Sequence, residues 1–325
     1  MTDYDEINFS PIQALTDGEV VTHSSVRDIR LPSGRVLALI TLDNGRDHTR
    51  PNTLGPATMT ELGETLAGLK ARAAAGEIQA VGITGKQYIL AAGADLSDIS
   101  RVGSIENAKL VAQLGHKVLG SLAELGVPSF AFVNGLALGG GLEIALNSTY
   151  RTVDASAAAI ALPEVFLGLI PGWGGAYLLP NLIGIENALE VVISNPLKQN
   201  RMLKPQQAFD YGIFDAIFPP ANYLENSLTW ADRVLTGAVK VERRNEPGKM
   251  ERLTKWPIAI KVARGMLESR IGTVPASPYA ALELLEKAKS GTKAEGFARE
   301  DEALADLIVG DQFAASMYAF DLVQK

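Results

Sequence analysis

The chain has 325 residues, 47% hydrophobic and 21% charged, with a formal net charge of −7 and no cysteine. That length and apolar fraction allow one large α/β core plus an appendage. The charge argues against a broad nucleic-acid surface, though not against a local basic site for a phosphate, and the missing cysteines exclude disulfides, thiolate metal sites, iron–sulfur clusters and a Cys nucleophile, which fits the cytoplasm.

Residues 1–10 are acidic and lack the basic-then-apolar order of a signal peptide. No apolar run reaches the ~20 residues of a membrane span; the longest, 130–142, is interrupted by Asn134 and four glycines. Residues 1–25 read as an arm. The run 36–42 (VLALITL) ends at the turn signal Asp43-Asn44-Gly45 and predicts a strand. Met59, Leu62, Leu66 and Leu69 fall three and four residues apart, which predicts a helix with one buried face ending near Gly76. Residues 80–84 read as the next buried strand. A helix is expected over 104–125, with Val111, Leu114, Val118, Leu119 and Leu122 on one side. A third buried strand comes at 128–133, then Asn134-Gly135. Leu142 opens a helix running to Asn147, and 152–160 mixes β-branched residues and alanines as a strand would. Strands separated by helices imply a layered α/β core with non-local crossovers.

Residues 236–255 are charged, carry a Pro-Gly pair and read as a surface connection. Beyond them, 258–325 reads as helical throughout. Three apolar stripes there (Ala281, Leu284, Leu285 and Ala288; Leu304, Leu307 and Ile308; Phe313, Met317 and Phe320) fit core or subunit contacts. The expected division is a core over 1–235 and a helical extension over 236–325.

Three segments combine glycines with an acidic residue. The first, 91–96 (AAGADL), comes after the apolar Tyr88-Ile89-Leu90; small residues at a strand end let the backbone approach a ligand, and Asp95 suits a helix cap. Taken alone, a plain strand-to-helix turn explains it. The second, 134–143 (NGLALGGGLE), brings three glycines into a helix start. Free N–H groups and the positive end of the helix dipole there suit an oxyanion, with Glu143 in the first turn; tight packing and dipole complementation explain the same residues equally well. The third is Leu162-Pro163-Glu164 and then 168–175 (GLIPGWGG). Glu164 stands among Ala161, Leu162, Val165 and Phe166, so it is either exposed or a carboxyl whose proton affinity rises on burial, which suits a general acid.

Other chemistries are thinly supplied. GxxxxGK[ST] is absent, and GxGxxG fails because Ile144 and Tyr177 stand where the last glycine belongs. His23, His48 and His116 form no H-E-x-x-H and no close pair, which argues against zinc. His48, in a polar loop, reads as a solvated residue. A Gly-x-Ser-x-Gly elbow is missing.

The AAGAD, NGLALGGGLE and LPEVFLGLIPGWGG stretches, in this order and spacing, resemble the crotonase (enoyl-CoA hydratase/isomerase) superfamily over about 36–217. The resemblance implies an α/β fold, a ββα spiral core here joined to a C-terminal all-helical extension, in a homotrimer or dimer of trimers. It implies a CoA thioester as substrate, with coenzyme A part of that substrate and no cofactor or metal. By matching motif positions it assigns the catalytic pair to Glu143 and Glu164, the oxyanion-hole N–H groups to Ala94 and Gly140, and a water-holding N–H to Gly172. Substrate and CoA contacts fall on Arg50, Asn52, Leu54, Ala92, Asp95 and Trp173. Trp173 replaces a small residue of the common motif, and an indole there narrows an acyl pocket. A helical extension after such a core resembles the N-terminal hydratase part of multifunctional fatty-acid oxidation proteins. It therefore suggests the front half of a longer polypeptide and dehydrogenase or thiolase components as partners. Hydration of trans-2-enoyl-CoA is the expected reaction, with Δ3,Δ2-enoyl-CoA isomerisation, thioester hydrolysis or non-catalytic acyl-CoA binding as alternatives.

Overall fold

The computed structural model describes residues 4–13 and 18–324. Residues 1–3 and 14–17 of the expected arm, and the side chain of Phe320, lie outside the described residues.

Among the described residues, nine strands form two sheets: β1 (His23–Arg30), β2 (Val36–Asp43), β3 (Ala80–Gly85), β4 (Tyr88–Ala91), β5 (Ser129–Val133), β6 (Gly135–Leu138), β7 (Tyr150–Asp154), β8 (Ile160–Ala161) and β9 (Ala216–Phe218). One sheet has the order β1-β2-β3-β5-β7-β9, the other β4-β6-β8. All neighbours are parallel except the β1–β2 hairpin. Consecutive strand pairs (β3 and β4, β5 and β6, β7 and β8) contribute one strand to each sheet and then enter helical structure, which is the ββα spiral implied by the resemblance. The large sheet is covered on both faces, so β3 is buried along its whole length and reads as an unbroken apolar run rather than an alternation.

Helix α1 (Pro56–Ala74) starts with proline at its first position and buries the expected Met59, Leu62, Leu66 and Leu69. Helix α2 (Ile105–Gly120) is capped by Ser104, whose hydroxyl accepts from the N–H of Asn107 at 3.2 Å. It ends earlier than expected, in a 3₁₀ turn over Ser121–Ala123. The remaining long helices are α3 (Gly140–Asn147), α4 (Gly175–Ile183), α5 (Tyr223–Leu235), α6 (Lys249–Ile271), α7 (Ala276–Lys287), α8 (Lys293–Ile308) and α9 (Asp311–Gln324).

The structure departs from the sequence expectations in three further elements. The single strand expected over 152–160 is two, β7 and β8, in different sheets. Asp154 accepts the N–H of Ser156 at 2.7 Å, and this local turn breaks the strand. Residues 249–255 are the first turns of α6, not part of a surface connection. Charge and Pro257 hide that helix from the sequence, but Trp256 is fully buried and its indole N–H donates to Leu285 O at 2.9 Å, so tertiary packing sets it. Strand β1 carries no signature in the sequence, because it is exposed or half-buried throughout and shows no alternation.

The helices after residue 248 share one hydrophobic core with the spiral: Trp256, Leu285, Leu304 and Phe313 belong to the same buried cluster as Ile40, Ile83, Leu142 and Leu162. Among the described residues no helix is long and apolar enough to cross a membrane.

Candidate active site

Strands β4, β6 and β8 lie side by side, so their carboxyl ends open on one rim. The three glycine-acid segments, far apart in sequence, are the residues that leave those ends. The turns touch. A Cβ built on Gly93 would stand 3.5 Å from Gly140 N and 3.7 Å from Gly139 Cα. Gly139 has φ +52°, and a Cβ there would stand 2.6 Å from Glu164 Oε1; glycine satisfies both the left-handed backbone and the close approach.

The two donors expected to meet an oxyanion are both available. Leu54 bridges to Ala94: Leu54 N–H donates to Gly93 O at 2.9 Å, and Asp95 N–H donates to Leu54 O at 3.4 Å. In such a parallel bridge Ala94's own N–H points to the other side. Gly140 opens α3, where first-turn N–H groups have no intrahelical acceptor. Among the described residues the N–H groups of Ala94, Gly140 and Gly172 donate to no protein acceptor.

These segments line a cleft of ≈ 530 Å³ that contains Arg50, Ala92, Ala94, Asp95, Gly140, Glu143, Glu164, Gly172 and Trp173. A small apolar recess with Leu54, Met59, Leu114 and Trp173 in its wall opens beside it. Arg50 is exposed at the mouth. Asn52 is a correction. Its side chain is fully buried, donates to Leu42 O at 2.9 Å and Leu90 O at 3.0 Å, and accepts from Asn44 N–H at 3.1 Å. It ties the ends of β2 and β4 together and does not face the cleft.

Glu143 is 2% exposed. Its Oε1 accepts the N–H groups of Trp173 at 2.7 Å and Gly175 at 2.8 Å. Burial, and next the Glu300 carboxylate, push its pKa up to about 7, while those two N–H groups and His116 pull down. Glu164 is half-buried as a residue, but its Oε2 is sealed from solvent and has no hydrogen-bond partner among the described residues. Burial, then the charge of Glu143, push it well above the ordinary carboxylate value. The cleft thus holds one carboxyl whose ionised form is hydrogen-bonded and a second whose neutral form is favoured.

Trp173 fixes the shape of the pocket. It is 5% exposed, and a Cβ on Gly140 would stand 2.7 Å from its Cζ3, so the benzo edge lies beside the Gly140 donor.

Sequence reasoning missed a second layer. His116, in α2, is buried; its Nδ1 lies 2.7 Å from Asp301 Oδ1 and its Nε2 3.1 Å from Glu300 Oε2. Phe297 stacks on the ring at 4.1 Å. Leu304 of α8 abuts Gly172, and Met317 of α9 lines the cleft. One sequence signal was available: Phe297, Asp301, Leu304 and Ile308 are spaced as a buried helical stripe, and an acidic residue inside such a stripe needs a partner.

Residues 34–245 match the family model described as enoyl-CoA hydratase/isomerase. Over 243 residues, 73% of the chain, the sequence is 31% identical to the fatty acid oxidation complex subunit alpha of Pseudomonas syringae pv. tomato, of which it covers 32%. The subunit of the same name in Pseudomonas putida F1 is 30% identical over 279 residues, 80% of this chain and 38% of that one. The chain therefore spans about a third of the length of the curated relatives it matches. Among solved structures, an enoyl-CoA hydratase from Bacillus anthracis superposes with TM-score 0.56 at 24% identity, covering 92% of this chain and 96% of that one. Human mitochondrial delta3-delta2-enoyl-CoA isomerase gives TM-score 0.61 at 18% identity, covering 93% and 98%. At such identities the likeness is one of fold.

Proposed function

This chain belongs to the enoyl-CoA hydratase/isomerase family, and from that premise we propose that it adds water reversibly to a trans-2-enoyl-CoA, giving 3-hydroxyacyl-CoA in fatty-acid β-oxidation. One observation carries the reading: two carboxyl groups of raised proton affinity, Glu143 and Glu164, open into one cleft beside N–H groups that have no protein acceptor.

The thioester oxygen sits between the N–H groups of Ala94 and Gly140. Glu143 removes a proton from water, the hydroxide oxygen bonds to the β-carbon, and the π electrons move onto the thioester oxygen. Fixed donors stabilise that enolate, each worth ~10²–10³ in rate. Glu164 then gives its proton to the α-carbon. Dehydration runs these transfers backwards. The N–H of Gly172 helps to hold the water. The split of roles comes from the surroundings: two N–H donors favour ionised Glu143, and the dry, unpartnered Oε2 of Glu164 favours the neutral acid. Coenzyme A enters as part of the substrate, and the reaction draws on no metal or redox cofactor. Arg50 at the cleft mouth suits a CoA phosphate.

The same carboxyls can shuttle a proton between the α- and γ-carbons, which is Δ3,Δ2-isomerisation; thioester hydrolysis is a further variant. A non-catalytic acyl-CoA carrier needs neither glutamate. Hydration monitored at the enoyl-thioester absorbance over short, medium and long trans-2-enoyl-CoAs, with product identification, tests the proposal. Turnover to 3-hydroxyacyl-CoA is expected. Conversion of 3-enoyl-CoA alone, or tight binding with no turnover, would replace it. The names of the relatives, subunits of a fatty acid oxidation complex, support assembly into a complex; the family resemblance supports dehydrogenase or thiolase components as its partners and a homotrimer or dimer of trimers, and the bacterial relatives support a cytoplasmic setting.

A further inference from the structure

The turn over 172–177 hands out its backbone N–H groups in two directions. Those of Trp173 and Gly175 go to Glu143 Oε1 at 2.7 and 2.8 Å. Those of Gly174 and Tyr177 go to Glu300, at 2.6 Å to Oε2 and 2.7 Å to Oε1. Two buried carboxylates, one from the spiral and one from α8, therefore hold the same few peptide units from opposite sides.

Glu300 is 1% exposed, and such a group persists only if its charge is matched. His116 supplies the match. Both ring nitrogens face carboxylate oxygens, Asp301 on one side and Glu300 on the other, and a ring can donate from both nitrogens only as imidazolium. Tyr4 donates its hydroxyl to the other Asp301 oxygen at 2.9 Å, which closes the network. Burial alone would lower the affinity of His116 for a proton; the hydrogen bonds and charges of Asp301 and Glu300 outweigh it and carry the ring up to about 9.

We propose that Glu300, held by the His116 imidazolium, is a positioning residue for Glu143: it fixes the turn whose alternate N–H groups clamp the Glu143 carboxylate, so that helix α8 of the C-terminal extension is part of the acid–base apparatus. Leu304, one turn further along α8, presses on Gly172 and supports the same turn from the acyl side. The groups that set the charge state of Glu143 are Glu164 across the cleft, Glu300 from α8 and His116 from α2, with Asp301 and Tyr4 behind them. The Glu300 charge favours the protonated form of Glu143 and the His116 charge favours the ionised form.

The inference rests on the proposed role of Glu143, and its test reads that residue directly. The full-length chain is labelled with ¹³C at Glu carboxyls and the Glu143 signal is titrated in wild type, Glu300→Gln, His116→Gln and the control Glu302→Gln. Glu302 is exposed and pairs with Lys109 at the surface. Losing the clamp raises the Glu143 midpoint and losing the Glu300 charge lowers it, so a midpoint in Glu300→Gln that holds or rises marks a displaced turn; a fall reads the lost charge alone and overturns the proposal, and the control should not shift. In hydration assays Glu300→Gln should lose on the order of 10²-fold in kcat, as a displaced catalytic group does, with KM within about twofold. A kcat equal to wild type in Glu300→Gln overturns the proposal as well. If Glu300→Gln fails to fold, His116→Gln, which removes the charge that holds Glu300, decides: kcat should fall with KM within about twofold, and an unchanged kcat overturns the proposal. A wild type that hydrates no enoyl-CoA sinks the proposed function yet leaves the titration readable.

Discussion

Gly115 of α2 packs directly against Trp173 of the turn over 172–177: a Cβ built on Gly115 would lie 2.1 Å from both Cδ1 and Nε1 of the indole. A helix glycine ordinarily weakens its helix by about 1 kcal/mol relative to alanine. Here it makes the space that seats the tryptophan beside the Gly140 donor. Gly115→Ala should therefore lower Tm despite its better helix propensity, by overpacking that typically costs ~1–3 kcal/mol. Thermal melts of the variant check this; an unchanged or raised Tm would show that the indole moves freely.

Trp173→Ala should enlarge the apolar recess that the indole walls off. The ratio of kcat/KM for long over short enoyl-CoAs should rise, each methylene accommodated contributing about 0.8 kcal/mol. A ratio equal to wild type would mean that the acyl chain runs elsewhere.

Glu143→Gln and Glu164→Gln should each reduce hydration by roughly 10²–10⁴-fold, the range for a lost general acid or base, with the fold retained. Circular dichroism and steady-state rates together check this. Near-normal turnover in either variant removes that residue from the mechanism.

The rate should rise with pH through about 7, because Glu143 must be ionised to take a proton from water and its native value is pushed up to about 7. It should fall at higher pH as Glu164, held well above its ordinary value, loses the proton it has to donate. A kcat/KM profile measured from acid to alkaline pH reads both limbs; a flat acid side around neutrality would contradict the assignment of Glu143 as base.

His116 binds its proton more tightly folded than unfolded, at about 9 against the ordinary 6.5. Its contribution to stability is full below about 6.5 and is lost as the pH rises through about 9. Denaturant melts of wild type should therefore weaken over that window, and His116→Gln should show a shallower decline there. Equal slopes in the two proteins would argue that the ring is neutral in the native state.

Much of the candidate site was legible before the fold. The acids Glu143 and Glu164, the glycine turns around Ala94 and Gly140, and the buried stripe of α1 are local patterns, with the roles of the four site residues supplied by the family resemblance; local patterns survive in sequence because helix and strand periods and backbone freedom are properties of neighbouring residues. The sequence by itself thus determined the residue types available for chemistry and the succession of strands and helices that carries them.

Tertiary structure decided what those residues face. The family resemblance suggested a substrate contact at Asn52, yet three hydrogen bonds turn it into a buried tie between β2 and β4. His116 showed no partner in sequence because Glu300 and Asp301 lie more than 180 residues away. The three glycine-acid segments meet only because β4, β6 and β8 are neighbours in the small sheet. Burial, charge pairing and convergence are relations between distant parts of the chain, and their energies come into being only when packing has excluded water from between them.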